Sequence, residues 1–147
     1  MDFKDCIKFA NENPICYLAT ADGDQPRVRG MGMWYADETG FYFQSETNKA
    51  LYKQIKKNPK VEICFHAGGV NPEALKVMRV YGKVKIITDP KIRAKCIAER
   101  PFLRNFGITE PDNPLLAVFQ VYTGEAYFFT MADNMKEADI PRIKFGK

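Results

Sequence analysis

A chain of 147 residues fits one domain and can fold without covalent staples, and 46% hydrophobic with 27% charged residues is a globular balance. The net charge of +4 is far short of a nucleic-acid-binding signature. The cysteines (Cys6, Cys16, Cys64, Cys96) are scattered, with no close pair to hold zinc or form a redox dithiol, so they read as buried free thiols of a reducing compartment.

Asp2 to Asn13 reads as an amphipathic helix, capped by Asp2, with Phe3, Ile7 and Ala10 on one face and Asn13-Pro14 as its stop. Strands follow at 15–21 and 25–35, joined by the turn chemistry of Asp22-Gly23-Asp24, and a third at 41–45 after the turn 37–40. Thr47 to Asn58 reads as a helix with Thr47 as cap. Further strands fall at 61–67 and 74–87, the latter with Gly82 as a bend or bulge. Asp89-Pro90 opens a helix to Arg100, as cap and first-position proline. The stretch 101–114 is irregular, and 115–130 is a last long strand, apolar on both faces. Such a strand is either a barrel wall covered by a helix or a subunit interface, and the interface is the reading preferred. The tail 131–147 is polar and reads as partly disordered or draped over a partner. Six strands with short turns and helical insertions predict a mainly β fold in one domain, an antiparallel barrel. No apolar run spans a bilayer and no signal-peptide core opens the chain, so a soluble, cytoplasmic protein is expected.

Two segments carry chemistry. In QPRVRGMGMWY (25–35), alternation places Arg27, Arg29 and Met31 on one face of a strand and Val28, Gly30 and Gly32 on the other. Two glycines on one strand face offer nothing to pack. They admit either a close strand crossing or a flat ligand. Arg29 suits an ion pair or a phosphate. In FYFQSETNKALYKQIKKNP (41–59), a strand runs into a helix start supplied with Ser45, Thr47, Asn48 and Lys49. Such a start attracts phosphate, and a lysine there is unfavourable unless an anion compensates it. Lys53, Lys56, Lys57 and Lys60 read as a solvated face. His66 is the only histidine, so no metal site is expected, and no nucleophile–base pair is evident.

Four features in order resemble the flavin-binding split barrels related to pyridoxamine 5′-phosphate oxidase, over about Asp5 to Phe129. They are FANENPICYLATADGDQPRVRGM, the strand FYFQS, the helix ending in NPKVEICF, and the strand RVYGKV. The resemblance implies a six-stranded antiparallel split β-barrel with helical additions. It also implies flavin mononucleotide (FMN) as cofactor and a homodimer with the flavins at the subunit interface. It assigns Arg29 to the flavin phosphate, Gly30 and Met31 (with Gly32) to the ring, and Gln44 and Ser45 to further flavin contacts. The oxidase's arginine–lysine phosphate pair falls on Ala50 and Leu51, so Thr47, Asn48 and Lys49 stand in from an earlier turn. A lysine that contacts the vitamin B6 substrate is Trp34 here, and the tail ADIPRIKFGK lacks the oxidase's substrate segment. Pyridoxamine phosphate oxidation is therefore not expected. The resemblance is to the shorter branch of nitroimidazole-resistance-type reductases and general-stress flavoproteins. The expected function is electron transfer from a reduced nicotinamide to a small acceptor, with no side chain required as catalytic acid or base. The alternatives are a non-enzymatic flavin carrier and a barrel adapted to haem or a deazaflavin. No nucleic-acid or membrane partner is expected.

Overall fold

Asp2 opens the fold by local chemistry. In the computed structural model, which describes all 147 residues, its carboxylate accepts from the Asp5 N–H (3.2 Å) while the Asp5 carboxylate accepts from the Asp2 N–H (2.8 Å). This reciprocal box starts α1 (Phe3–Glu12). Asn13 closes it, its side-chain amide donating to the Phe9 carbonyl. β1 (Ile15–Asp22) and β2 (Gln25–Gly32) form a hairpin in which Asp22 faces Gln25 across the turn, and Gly23 takes a φ of 63°. β3 (Tyr35–Asp37), β4 (Gly40–Glu46), α2 (Ala50–Lys57), β5 (Lys60–Ala67) and β6 (Lys76–Ile86) follow. Asp89 caps α3 (Pro90–Glu99) by accepting from the Lys91 N–H. β7 (Leu116–Thr130) and β8 (Ile143–Phe145) complete the chain.

The strands are ordered β2-β1-β5-β6-β7-β4-β3, with β8 added to β7, and every pairing is antiparallel. The two ends of this path are consecutive in the chain. Met33 and Trp34 join them, the Met33 N–H donating to the Pro14 carbonyl and the Trp34 N–H to the Tyr42 carbonyl. The sheet thus closes on itself as a barrel. The single strand expected at 25–35 is two strands, because the chain changes partners from β1 to β4 at this point. Side-chain alternation fails there too. Met33 and Ala36 face the main core, while Trp34 and Tyr35 both face outward into a second cluster.

The barrel interior holds Leu18, Phe41, Phe43, Ile63, Phe65, Val80 and Phe119 among other fully buried side chains. The second cluster lies outside the wall. Cys96 of α3, Leu103 in the 3₁₀ turn 101–106, and Ile108 pack on Tyr42, Leu116 and Val118. This corrects the preferred reading of the last strand. β7 is apolar on both faces because the chain's own helix and loop cover its outer side, and the segment 101–114 packs on its own barrel. Next to Gly82, where a bend was expected, β7 carries one extra residue, Tyr122, opposite the step from Lys83 to Val84, where the register shifts. Gly82 and Gly124 face each other there, and a Cβ on either would lie 2.0 Å from a backbone oxygen.

The tail is ordered within the fold. Phe145 is 6% exposed, stacks on Phe3 at 4.8 Å and meets Phe41 edge-on. With β3 and β8 counted there are eight strands rather than six. No helix is long and apolar enough to cross a membrane. Replacing Phe145 with alanine should cost about 3 kcal/mol, the usual order for a buried phenylalanine, measured by urea unfolding. An unchanged midpoint would show that the tail is not part of this core.

Candidate functional site

β2 pairs on one side only, with β1, so its margin is free and its outer face is exposed. Its outer face carries Val28, Gly30 and Gly32, opposite Ala19, Tyr17 and Ile15 of β1. A Cβ on Gly30 would approach only Tyr17 Cε1, at 4.0 Å. One on Gly32 would approach Arg100 Nη2 at 3.9 Å and Ile15 Cδ1 at 4.0 Å. No backbone crosses here, so the chain's own packing does not require these glycines. They form a flat strip flanked by exposed apolar side chains, Ile15 (66%), Tyr17 (51%) and Val28 (69%).

On the opposite face, Arg29 is half-buried. Its Nη1 donates to the Thr20 hydroxyl (2.8 Å) and the Leu18 carbonyl (3.3 Å), and its Nη2 to the Gln54 amide oxygen (2.6 Å). Every partner is neutral, and no carboxylate reaches it. Burial pulls its guanidinium below its ordinary pKa. Gln54, on α2, also accepts from the Thr20 hydroxyl at 2.6 Å. Ala50, Lys53, Gln54 and Lys57 line one side of a cavity of about 450 Å³, and Ala21, Asp22 and Gly23 another. Lys53 and Lys57 share this cavity with the carboxylate of Asp22, and Arg29 meets its wall through Gln54.

The start of α2 is different from the expected one. The helix begins at Ala50, Lys49 holds the N-cap position, and no side chain caps it. Thr47 is not a cap. Its hydroxyl donates to the Pro114 carbonyl (2.8 Å) and its N–H to the Leu115 carbonyl, tying the turn to the β7 entry. Lys49 is paired with Glu46 at 3.1 Å, which supplies the negative charge its position needs. Asn48 is exposed. Ser45 is buried on the inner face of β4 with Phe41 and Phe43, whereas Gln44 faces outward. Met31 is partly buried against the main core.

Gln44 leads to a residue that sequence reasoning missed. Its amide oxygen accepts from Arg100 Nε at 2.5 Å, while Arg100 Nη2 donates to the Gly32 carbonyl at 3.3 Å. Arg100 also has no carboxylate partner, and burial lowers its pKa. It sits beside the glycine strip, with the Phe102 ring 5.0 Å away. Of the eight expected residues, Met31 and Ser45 face the core and the other six fall into three places. Arg29 joins Thr20 and Gln54 below the hairpin. Gly30, with Gly32, Gln44 and Arg100, borders the outer strip. Thr47, Asn48 and Lys49 form a turn engaged with Glu46 and Pro114. Gln54, Lys53 and Arg100 carry no local motif, and only their contacts single them out.

Trp34 has a packing role. Its indole N–H donates to Glu99 at 3.0 Å, and its ring meets Tyr35 and Tyr42 edge-on. His66 is exposed on the outer face of β5 opposite Val77. No cluster of His, Cys, Asp and Glu could hold a metal ion.

Residues 4–140 match the family model for pyridoxamine 5′-phosphate oxidase. The chain belongs to this family. Among solved structures, a NimC/NimA family protein from Clostridium acetobutylicum is 27% identical, with 97% of this chain and 92% of that one covered at a TM-score of 0.75. An FAD-binding protein from Mesorhizobium loti is 18% identical (87% and 92% covered, TM-score 0.65). The haem storage protein HutZ from Vibrio cholerae is also 18% identical (88% and 95% covered, TM-score 0.64). The last two share the fold of the oxidase family with this chain. No curated protein sequence matches it.

The cysteines offer this oxidase-family barrel no nucleophile. All four are free thiols. Burial pushes Cys6 and Cys96 up to about 11 and Cys16 up to about 12, from an ordinary value of 9.0. An unfolded chain ionises these thiols first. Their contribution to stability is therefore present below about pH 9 and is lost as pH rises through the folded values. Urea midpoints should fall between pH 9 and 11, and less steeply in a Cys16→Ala, Cys96→Ala variant. At pH 8, iodoacetamide should leave Cys6, Cys16 and Cys96 of the native protein unmodified.

Proposed function

We propose that this chain is an FMN-binding oxidoreductase that works as a homodimer in the cytoplasm. The observation that carries the reading is the open glycine strip on β2, with a guanidinium lacking any anionic partner on either side of it. The chain builds a flat surface at Gly30 and Gly32 that nothing of its own fills. An isoalloxazine ring is flat, apolar on its faces and polar along its edge, and fits such a strip. Arg29 offers its phosphate a cation whose present partners are all neutral, and Lys53 adds a second positive charge from α2. Lys49 with Thr47 and Asn48 would extend this anchorage once Lys49 leaves Glu46. Gln44 borders the strip through Arg100, whereas Ser45 and Met31 support it from the core side.

Bound flavin would supply two-electron chemistry, taking a hydride from a reduced nicotinamide and passing it to a small acceptor. The chain's residues bind and orient. Arg100, held by Gln44 and the Gly32 carbonyl, can draw the negative end of an acceptor, such as a nitro or carboxylate group, toward the strip. Trp34, committed to Glu99 and the second cluster, closes the position from which a lysine could recognise a B6 phosphate. The exposed Ile15, Tyr17 and Val28 are side chains that a second copy of the chain would cover, enclosing the strip between two protomers. The family relationship supports the reading, and so does the likeness to a protein described as FAD-binding.

The protein as purified should be yellow, with a flavin absorption spectrum, and should sediment as a dimer. A Soret band, or failure of the colourless protein to take up FMN at micromolar concentration, would falsify this reading. Arg29→Ala should weaken FMN binding at least tenfold, about 1.4 kcal/mol, and Lys49→Ala should weaken it less. Gln54→Glu is the more telling change. It gives Arg29 a carboxylate, so it should raise the melting temperature of the flavin-free protein while lowering FMN affinity. Anaerobic reduction by a nicotinamide, then turnover with a nitro compound or quinone, separates an enzyme from an electron carrier.

A further inference from the structure

A second cationic site lies at the end of the barrel formed by β5, β6 and β7, away from the β2 strip. Lys60 and Lys83 are direct partners across the β5–β6 pair. Like charges placed opposite each other in an antiparallel pair oppose the pairing. Lys147 reaches the same place from the tail. Gly146, with a φ of 69°, packs so closely on β7 that a Cβ would lie 2.1 Å from the Tyr122 carbonyl oxygen, and Phe145 anchors the segment in the core. Three lysines from distant parts of the chain thus border one cavity of about 550 Å³. No carboxylate lies within 4.0 Å of any of them. Two carboxylates border the cavity, Glu125, which accepts the Tyr81 hydroxyl at 2.5 Å, and the α-carboxylate of Lys147. The cavity also runs along bare backbone at Gly82 and Gly124, where no side chain can stand because a Cβ on either would clash with the facing strand.

We propose that this cup binds a small oligophosphate anion, a ligand bearing two or three linked phosphate groups. Three lysines against two carboxylates leave the wall of the cavity net positive, and the facing Lys60 and Lys83 carry no carboxylate partner, so the space favours an anion that can bridge them. Ammonium groups act as point charges and suit the evenly spread charge of phosphate oxygens. The cavity is within the range that small-molecule ligands occupy, roughly 300 to 1,000 Å³. Bound there, the anion would relieve the Lys60–Lys83 repulsion and tie the tail to β5 and β6. The site shares no lining residue with the cavity beside Gln54, although Val61 in its wall pairs with Thr20, and it does not depend on the flavin reading.

The test uses the full chain and inorganic pyrophosphate as probe, at constant ionic strength. Amide shifts in a ¹H–¹⁵N spectrum should centre on Gly82, Lys83, Thr123 and Gly124. At about 100 times its dissociation constant, pyrophosphate should raise the melting temperature by about 5 °C or more. A Lys60→Gln, Lys83→Gln variant should melt higher than the wild type without ligand and lose the response to pyrophosphate. Both lysines are exposed, so this variant should fold. Shifts centred instead on Arg29 and Lys53, a response that survives in the variant, or no response at about 10 mM pyrophosphate would overturn the proposal. A response to orthophosphate as large as that to pyrophosphate would overturn the oligophosphate assignment.

Discussion

The partner switch at Met33 and Trp34 is the constraint on which the rest of this structure depends. Up to Gly32 the chain is bonded to β1, and from Tyr35 it is bonded to β4. Two residues carry it between the two ends of the sheet path, and no ladder joins β2 to β3 at this point. Closure removes most of the exposed edge, but β2 keeps one side unpaired. The glycine strip, Arg29 and Arg100 all gather at that incomplete seam. Further along the wall, strands are covered by α3, by the 3₁₀ turn or by the tail. The seam is where the wall of the barrel is least covered by its own chain.

The two arginines at the seam show how the site is poised. A half-buried guanidinium normally recovers its lost hydration from a carboxylate, as Arg79 does with Glu62. Arg29 and Arg100 receive an amide oxygen from Gln54 and Gln44 instead. A neutral acceptor fixes the direction of the side chain without cancelling its charge. The cation is therefore held in place yet left attractive to an anion. A glutamate in either position would make a more stable pair and a poorer site.

What could be read from the sequence was whatever local chemistry decides. Asp2 and Asp89 cap their helices because a carboxylate can reach N–H groups two or three residues ahead. Period-two alternation put Arg29 and Gly30 on opposite faces correctly. Thr47 was misread because a hydroxyl shortly before a helix looks like a cap, whereas its acceptor is the Pro114 carbonyl, 67 residues away. Arg100 was invisible for the same kind of reason, since its side-chain partner Gln44 is 56 residues distant. The division of 25–35 into two strands could not be read either. It depends on which neighbour each half meets, and no residue between Gly32 and Tyr35 is a turn former.

β7 carries the same lesson to the level of function. An apolar strand on both faces reports that both sides are covered, and says nothing about whether the cover comes from the same chain. Here α3 and the loop behind it cover the first half, so the last strand loses its value as an argument for a dimer. The weight passes to Ile15, Tyr17 and Val28, which remain open after the chain has packed everything it can. This also bears on the cofactor. The oxidase-family barrel is shared by proteins described as binding FAD and as storing haem, so the fold does not choose between them. The flavin proposal therefore rests on the local residues. A haem iron needs an axial ligand, and the one histidine lies on the outer face of β5 beside Val77, while both unpaired guanidiniums lie along β2. A ring with a phosphate tail matches that distribution of charge better than a metal centre does.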